Sequence, residues 1–225
     1  MTGERRDYEG EGLPEGDLPP APYPLVGAWV EQAVSRDVER GDVPEPGAMS
    51  VATVDATGMP DVRTVLMRFL DARGPGFVTN LDSAKGEQLR ANPGVAVALT
   101  WPSMFRAIRF RGVAELVARE EVTAYFQQRP WSSRISAWAS RQSAPLPSRQ
   151  QLERTFEQYA ARYPDRGSPD DVPVPEHWGG VRVRAAAVEF WAGRRDRLHD
   201  RVRFVRRGAG DLADETAWTT GRLQP

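Results

Sequence analysis

Residues 189–201 read Glu-Phe-Trp-Ala-Gly-Arg-Arg-Asp-Arg-Leu-His-Asp-Arg. An apolar, strand-like run passes through a glycine turn and then presents Arg197, His199 and Arg201 at alternating positions. In extended chain, residues two apart share a face. Two guanidinium groups and an imidazole would then line one wall, with Trp191 beside them as a flat apolar surface. Such a wall suits a planar, anionic, heteroaromatic ligand. The same run also reads as a solvated, arginine-rich edge strand, and the local pattern leaves both readings open.

Anion binding recurs elsewhere. Of 30 basic residues only Lys85 is a lysine. Arg63 opens a strand, and Ser83 with Lys85 opens a helix. A helix N-terminus with a hydroxyl and a cation beside it makes a phosphate seat. A surface lysine on a short helix fits that segment equally well. A second set is Tyr125 and Arg129, four apart on one helical face, with Ser133 in the loop that follows. Phenol, guanidinium and hydroxyl could converge on a second phosphate. A capped helix end with an exposed arginine is the competing reading.

Composition bounds the rest. The chain has 225 residues, 40% apolar and 27% charged, an ordinary globular balance. A net charge of -1 gives no field that favours nucleic acid or an anionic membrane. Without cysteine there are no disulfides, thiolate nucleophiles or Cys-ligated metals. His177 and His199 are the only histidines and have no HExxH spacing, so no metal site is expected. There is no G-x-S-x-G elbow, and the adjacency of His199 and Asp200 does not define a triad, which argues against a hydrolase. Met1 to Gly16 is charged and lacks the apolar core of a secretory signal, and no apolar run reaches membrane-spanning length. A cytoplasmic location is expected.

The elements that must position these residues are short. Residues 1–22 read as a flexible arm that makes no core element, although Arg5, Arg6 and Tyr8 could fold over a ligand. Residues 23–225 read as one domain. Pro24 to Arg40 has helical spacing of apolar residues. Met49–Val54, Val62–Leu70 and Gly76–Thr79 form a meander of strands. Ser83 to Ala91 is a helix that Asn92-Pro93 ends. Val95–Trp101 and Ala107–Val117 are strands, and Arg119–Gln128 a helix. Ile135–Arg141 is a short helical turn, and Ser148 with Gln151 caps a helix to about Arg162. Val181–Val183, Ala187–Ala192, Val202–Arg206 and Trp218–Leu223 are the last strands. No βαβ alternation, G-x-G-x-x-G or Walker loop is present. The predicted fold is mainly β with surrounding helices (α+β), an antiparallel barrel.

These residues carry a family resemblance. Arg63-Thr-Val-Leu-Met-Arg68, Thr79-Asn80, Ser83-Ala-Lys85-Gly86, Asn92-Pro93, Tyr125-Phe-Gln-Gln-Arg129-Pro130 and Ala137-Trp-Ala-Ser-Arg-Gln142-Ser143 occur in order. Trp178-Gly-Gly180, Glu189-Phe-Trp191, Arg197-Leu-His199-Asp-Arg201 and Arg222-Leu-Gln-Pro225 follow. Together they make the chain resemble the pyridoxamine 5'-phosphate oxidase family from about Arg5 to Pro225. The resemblance implies an FMN-binding split β-barrel and a homodimer with FMN across its interface. It implies oxidation of pyridoxine or pyridoxamine 5'-phosphate to pyridoxal 5'-phosphate, with O2 reduced to H2O2.

By the same resemblance, Arg63, Ser83 and Lys85 serve the FMN phosphate. Val65, Leu66, Arg68, Val78, Thr79, Gln142, Ser143, Trp191 and Arg201 complete the FMN site. Arg68, Tyr125, Arg129 and Ser133 hold the substrate phosphate, and Arg197 and His199 flank the ring as the catalytic pair. Arg5 and Tyr8 match an arm that closes over the substrate. Three positions depart from the pattern: Arg68 replaces a usual lysine, Ala84 a common arginine and Ala107 a glutamine. The last two imply looser FMN retention. The resemblance also admits a phenazine-type oxidase of secondary metabolism on the same scaffold, or a non-catalytic flavin- or PLP-binding protein.

Overall fold

The computed structural model describes residues 7–225. Arg5 lies outside the described residues. Helix α1 (Tyr23–Arg40) buries Val26, Trp29 and Ala33, one face of its apolar spacing. It ends at Gly41, whose left-handed φ of 65° lets its N–H reach the Asp37 carbonyl. The Trp29 ring meets Phe190 edge-on at 5.3 Å, which seats the helix on the sheet.

The strands are β1 (Ala48–Val54), β2 (Pro60–Leu66), β3 (Phe69–Asp71), β4 (Gly74–Asn80), β5 (Gly94–Trp101), β6 (Arg106–Leu116), β7 (Trp178–Ala192), β8 (Asp200–Arg206) and β9 (Trp218–Arg222). They form one sheet in the order β2-β1-β5-β6-β7-β4-β3, with β8 on β7 and β9 on β8. Each of these pairings is antiparallel. Helices α2 (Ala84–Ala91), α3 (Arg119–Gln127), α4 (Trp131–Ala139) and α5 (Arg149–Arg162) complete the mainly-β architecture expected from the sequence. The main core gathers alternating residues such as Met49, Val51, Leu99, Ile108, Phe110, Val188, Phe190 and Phe204. A second cluster, around Val122, Phe126, Ile135 and Trp178, lies under the helices.

Four expectations are corrected. The strand expected over Val62–Leu70 breaks at Met67-Arg68, because the backbone changes partners there. Met67 N–H donates to Gly47 O and Arg68 N–H to Gly76 O, both at 2.8 Å. The separate strands at Val181–Val183 and Ala187–Ala192 are one 15-residue strand, β7, carried past a bulge opposite Arg111 and Gly112. The turn expected at Ile135–Arg141 is a helix that begins at Trp131 behind Pro130. Leu13 and Ala21 join the core, although the segment holding them was expected to add nothing to it. Leu13 is anchored through its backbone: its N–H donates to Asp200 Oδ2 at 3.0 Å, and its carbonyl accepts from Arg222 Nη2 at 2.6 Å.

The bulge has a steric condition. A Cβ on Gly112 would run into the Arg184 carbonyl and lie 2.8 Å from the Ala185 Cα. Gly112→Ala should therefore destabilise the fold by about 1–3 kcal/mol, the usual cost of overpacking. Urea unfolding should show a lower midpoint with an unchanged m-value.

Candidate functional site

The first anion seat forms where β4 runs into α2. Asn80 organises the turn: its Oδ1 accepts from Asp82 N–H at 2.8 Å, and its carbonyl accepts from Ser83 Oγ at 2.6 Å. Gly86 permits the close return, since a Cβ there would strike the Leu81 carbonyl. The turn delivers Lys85, only 7% exposed, into a cleft of about 580 Å3. Its Nζ donates to Gln142 Oε1 at 2.6 Å, Thr79 Oγ1 at 2.9 Å and Ser83 Oγ at 3.2 Å. All three acceptors are neutral. Burial, and then the charge of Arg63, push the Lys85 pKa from 10.5 down to about 8.

Arg63 projects from β2, with Nη1 on Thr53 Oγ1 at 2.6 Å and Nη2 on Gln88 Oε1 at 2.8 Å and on the Asp61 carboxylate. Val65, Leu66, Val78, Ala84 and Ser143 line the same cleft. The expected first set thus comes together, with Ser83 fully buried and bracing Lys85. Asp61, Thr53 and Gln88, which the sequence reading missed, hold Arg63 in place. The period-2 pairing of β1 and β2 opposite α2 was the available signal.

The second seat lies beside the first. Tyr125 leaves α3 and stacks on Trp178 at 6.3 Å, and the Arg129 guanidinium lies 5.0 Å from the same indole. Arg129 Nη1 is buried without a hydrogen-bond partner among the described residues. Burial pulls its pKa below the ordinary value; Tyr125 opposes that, and the like charge of Arg68 adds to it. Arg68 is exposed on the β2–β3 link; Ser133, expected in a loop, lies instead in the first turn of α4, which starts directly after Pro130. An unpartnered buried cation facing a second cation is costly unless an anion joins them.

The third cluster is at the other end of the sheet. His199 lies 4.8 Å from the Trp191 ring and 5.3 Å from Tyr8. Its Nδ1 accepts from the Arg194 N–H at 3.0 Å, so a neutral ring carries its proton on Nε2. The expected extended wall is corrected. Residues Arg195–Arg197 form a tight 3-10 turn, with Asp196 and Arg197 at φ 57° and 62°. Strand alternation therefore stops before Arg197. Arg201 lies in β8, pairing across to Trp191, and its Nη2 donates to Glu189 Oε1 at 2.8 Å. Glu189 also accepts from Arg203 at 3.0 Å and from Arg109 at 2.7 Å. Burial opposes its charge, but Arg201, Arg203 and Arg109 outweigh it and keep the carboxyl pKa below the ordinary value. The sequence reading gave Glu189 no role, because its three partners come from two other strands.

Strand β7 separates these groups. Gly179 pairs with Thr79 at the seats, and Trp191 sits at the far end. At about 3.3 Å per residue, the run of strand from Gly179 to Trp191 spans roughly 40 Å, whereas Arg63 lies level with Val188 across β1, β5 and β6.

Comparisons with known proteins follow this geometry. A family model described as "Pyridoxamine 5'-phosphate oxidase" matches residues 37–163. Another, "Pyridoxine 5'-phosphate oxidase C-terminal dimerisation region", matches residues 178–225. A pyridoxine/pyridoxamine 5'-phosphate oxidase from Kineococcus radiotolerans is 47% identical over 225 residues, covering 100% of this chain and 98% of the relative. One from Streptomyces avermitilis is 42% identical, covering 98% and 94%. Among solved structures, PhzG from Burkholderia lata 383, in complex with tetrahydrophenazine-1-carboxylic acid, has a TM-score of 0.82 at 28% identity, covering 96% of this chain and 99% of that one. A pyridoxamine 5'-phosphate oxidase-related, FMN-binding protein from Nostoc punctiforme, at 18% identity and TM-score 0.67, covers 90% and 98% and shares the fold. The split-barrel expectation holds.

The orphaned Arg129 makes a prediction. Arg129→Met should raise the unfolding midpoint of ligand-free protein, by about 1 kcal/mol, because it removes an unpaired buried cation. It should also abolish protection by inorganic phosphate at the second seat. A variant less stable than wild type yet still protected would contradict that assignment.

Proposed function

The chain belongs to the pyridoxamine 5'-phosphate oxidase family, and on that premise we propose that it oxidises pyridoxine or pyridoxamine 5'-phosphate to pyridoxal 5'-phosphate with FMN, reducing O2 to H2O2, water entering and ammonia leaving when the substrate is the amine. The observation that carries this reading is the pair of adjacent cationic seats, since a phosphorylated cofactor and a phosphorylated substrate need one each. The neutral partners of Lys85 and the orphaned Nη1 of Arg129 fit two phosphate groups. FMN held by these residues would supply two-electron redox chemistry, with O2 as the final acceptor.

The chain's own residues bind and orient. Lys85 and Arg63 hold the FMN phosphate, with Thr79 and Gln142 fixing the lysine, and Val65, Leu66 and Val78 giving the flavin apolar walls. Arg68, Tyr125, Arg129 and Ser133 hold the substrate phosphate. Arg197 and His199 hold the substrate ring in a reactive pose, with the His199 Nε2 proton available to it. Tyr8 closes the arm over that ring. Trp191 and Arg201 reach the flavin from a second copy of the chain, since β7 sets them far from the Tyr125–Arg129 seat beside Trp178 of their own chain. The 178–225 match to a dimerisation region supports that homodimer. Residues 23–225 act as one FMN-binding unit in the cytoplasm.

The PhzG likeness favours a phenazine-type oxidase as the second reading. Purified, FMN-supplemented protein should form pyridoxal phosphate and peroxide from pyridoxine 5'-phosphate; bound flavin without turnover would move the assignment to that reading. Arg197→Ala should cut turnover about a hundredfold with little loss of FMN. Unchanged turnover would remove Arg197 from the mechanism.

Lys85 adds a pH signature. A phosphate monoester loses its second proton near pH 6, so FMN affinity should rise to about pH 7. It should fall above about pH 8 as the amine becomes neutral. Lys85→Arg should flatten the alkaline limb. For ligand-free protein the sign reverses: the unfolded chain holds the Lys85 proton up to 10.5 and the folded chain to about 8, so stability rises between those values. With Ala84 and Ala107 at two flavin positions, FMN should bind more weakly than nanomolar. Fluorescence titration of apoprotein from pH 6 to 9.5 reads both effects; a flat profile or nanomolar binding would contradict them.

A further inference from the structure

Behind the second seat lies a buried arginine that the mechanism above does not use. Arg182 is in β7, paired with Gly76 of β4, and is 6% exposed. Its Nη1 donates to Asp71 Oδ1 at 3.0 Å and to Gly74 O at 2.8 Å, and its Nη2 donates to Glu121 Oε1 at 2.7 Å. Arg73 closes the same two carboxylates from the solvent side, at 2.6 Å to Asp71 and 3.0 Å to Glu121.

The two carboxylates belong to the two halves of the seat. Asp71 ends β3, the three-residue strand that follows Arg68. Glu121 lies in the first turn of α3, one helical turn before Tyr125, and the chain reaches Arg129 just past the helix end. Phe69 bridges them: its ring lies 5.4 Å from the Arg182 guanidinium and 5.7 Å, edge-on, from Tyr125.

We propose that Arg182 is a positioning residue for the phosphate seat, fixing the separation between Arg68 and the Tyr125–Arg129 pair by holding Asp71, Glu121 and Phe69 together. The ligand named here rests on the reading that this seat takes the substrate's phosphate ester. Arginine suits the task because its planar fork spans two carboxylates at once, which an ammonium does not. Pairing with β4 fixes β3 to the sheet but not to α3, so the fork, which joins Asp71 to Glu121, sets where the Arg68 charge stands relative to Arg129.

The test is phosphate affinity in FMN-loaded protein, where the first seat is filled. Inorganic phosphate titrated by calorimetry should bind Arg182→Met about tenfold more weakly than wild type, a loss of the size that small misplacements produce. Arg182→Lys should recover part of that loss. Glu121→Gln, which removes one arm of the network and leaves the arginine in place, should weaken phosphate in the same direction and serves if Arg182→Met does not fold. Arg184→Ala, an exposed arginine of the same strand paired with Glu115, is the control and should leave affinity unchanged. With pyridoxine 5'-phosphate as substrate, Arg182→Met should raise KM about tenfold with kcat within about twofold, and oxidation of unphosphorylated pyridoxine should not change. Unchanged phosphate affinity in folded Arg182→Met or Glu121→Gln would overturn the proposal, as would equal losses for the phosphorylated and unphosphorylated substrates. If wild type binds phosphate but does not oxidise the ester, the substrate reading fails while the phosphate titrations still decide the role of Arg182.

Discussion

A single long strand governs this molecule. Trp178–Ala192 pairs with β4 at its start, with β6 along most of its length and with β8 at its end. Whatever β4 and the helices after it carry is therefore held at one end, and whatever β8 carries at the other. The length is maintained by a bulge at Gly112 and by a core of Val188, Phe190 and their neighbours. It puts two phosphate-sized seats near Trp178 and an aromatic–imidazole wall near Trp191. On the proposed reading the wall at one end of β7 meets the seats through a second copy of the chain, a reading that the match of residues 178–225 to a dimerisation region supports.

Charge pairing sets Lys85 and Arg129, which have no carboxylate partner among the described residues, apart from the paired arginines, Arg63 and Arg201 included. Glu189 satisfies Arg109, Arg201 and Arg203, and Asp71 and Glu121 satisfy Arg182 and Arg73. In the first network the arginines offset the cost of burying the Glu189 carboxylate, and in the second the carboxylates offset the cost of burying Arg182. Lys85 has hydroxyl and amide oxygens only, and Arg129 has the faces of Phe126 and Trp178 and an unused donor. A protein this rich in arginine and acid had carboxylates to spare. Among the described residues none stands at Lys85 or Arg129, which leaves both cations without a carboxylate to compete with a bound anion.

Much of this was legible in the sequence. Helical spacing found α1 and alternation found β6, because a half-buried face imposes its period on the residues, and the Ser148–Gln151 cap found α5. The helix opening at Lys85 and the Tyr125–Arg129 spacing were legible as clusters, and the structure gathers Thr79, Ser83, Lys85 and Gln142 in one and Tyr125, Arg129 and Trp178 in the other. What failed depended on distant partners. The break at Met67-Arg68 comes from Gly47 and Gly76, which claim adjacent N–H groups from opposite sides. The turn that lifts Arg197 out of the strand uses two left-handed residues, neither of them glycine, so no local signal marks it. Glu189 and Arg182 acquired meaning only once the strand register showed what stands opposite.

The claim that the site is divided between two chains is tested by mixing two inactive variants, Lys85→Met and Arg197→Ala. After random reassociation, half of the dimers are hybrids. Each hybrid has one intact site if the seat of one chain meets the wall of the other. The account predicts recovery of about a quarter of wild-type turnover. If each site is built within one chain, every site in the mixture keeps a defect, and the absence of any recovery would contradict it.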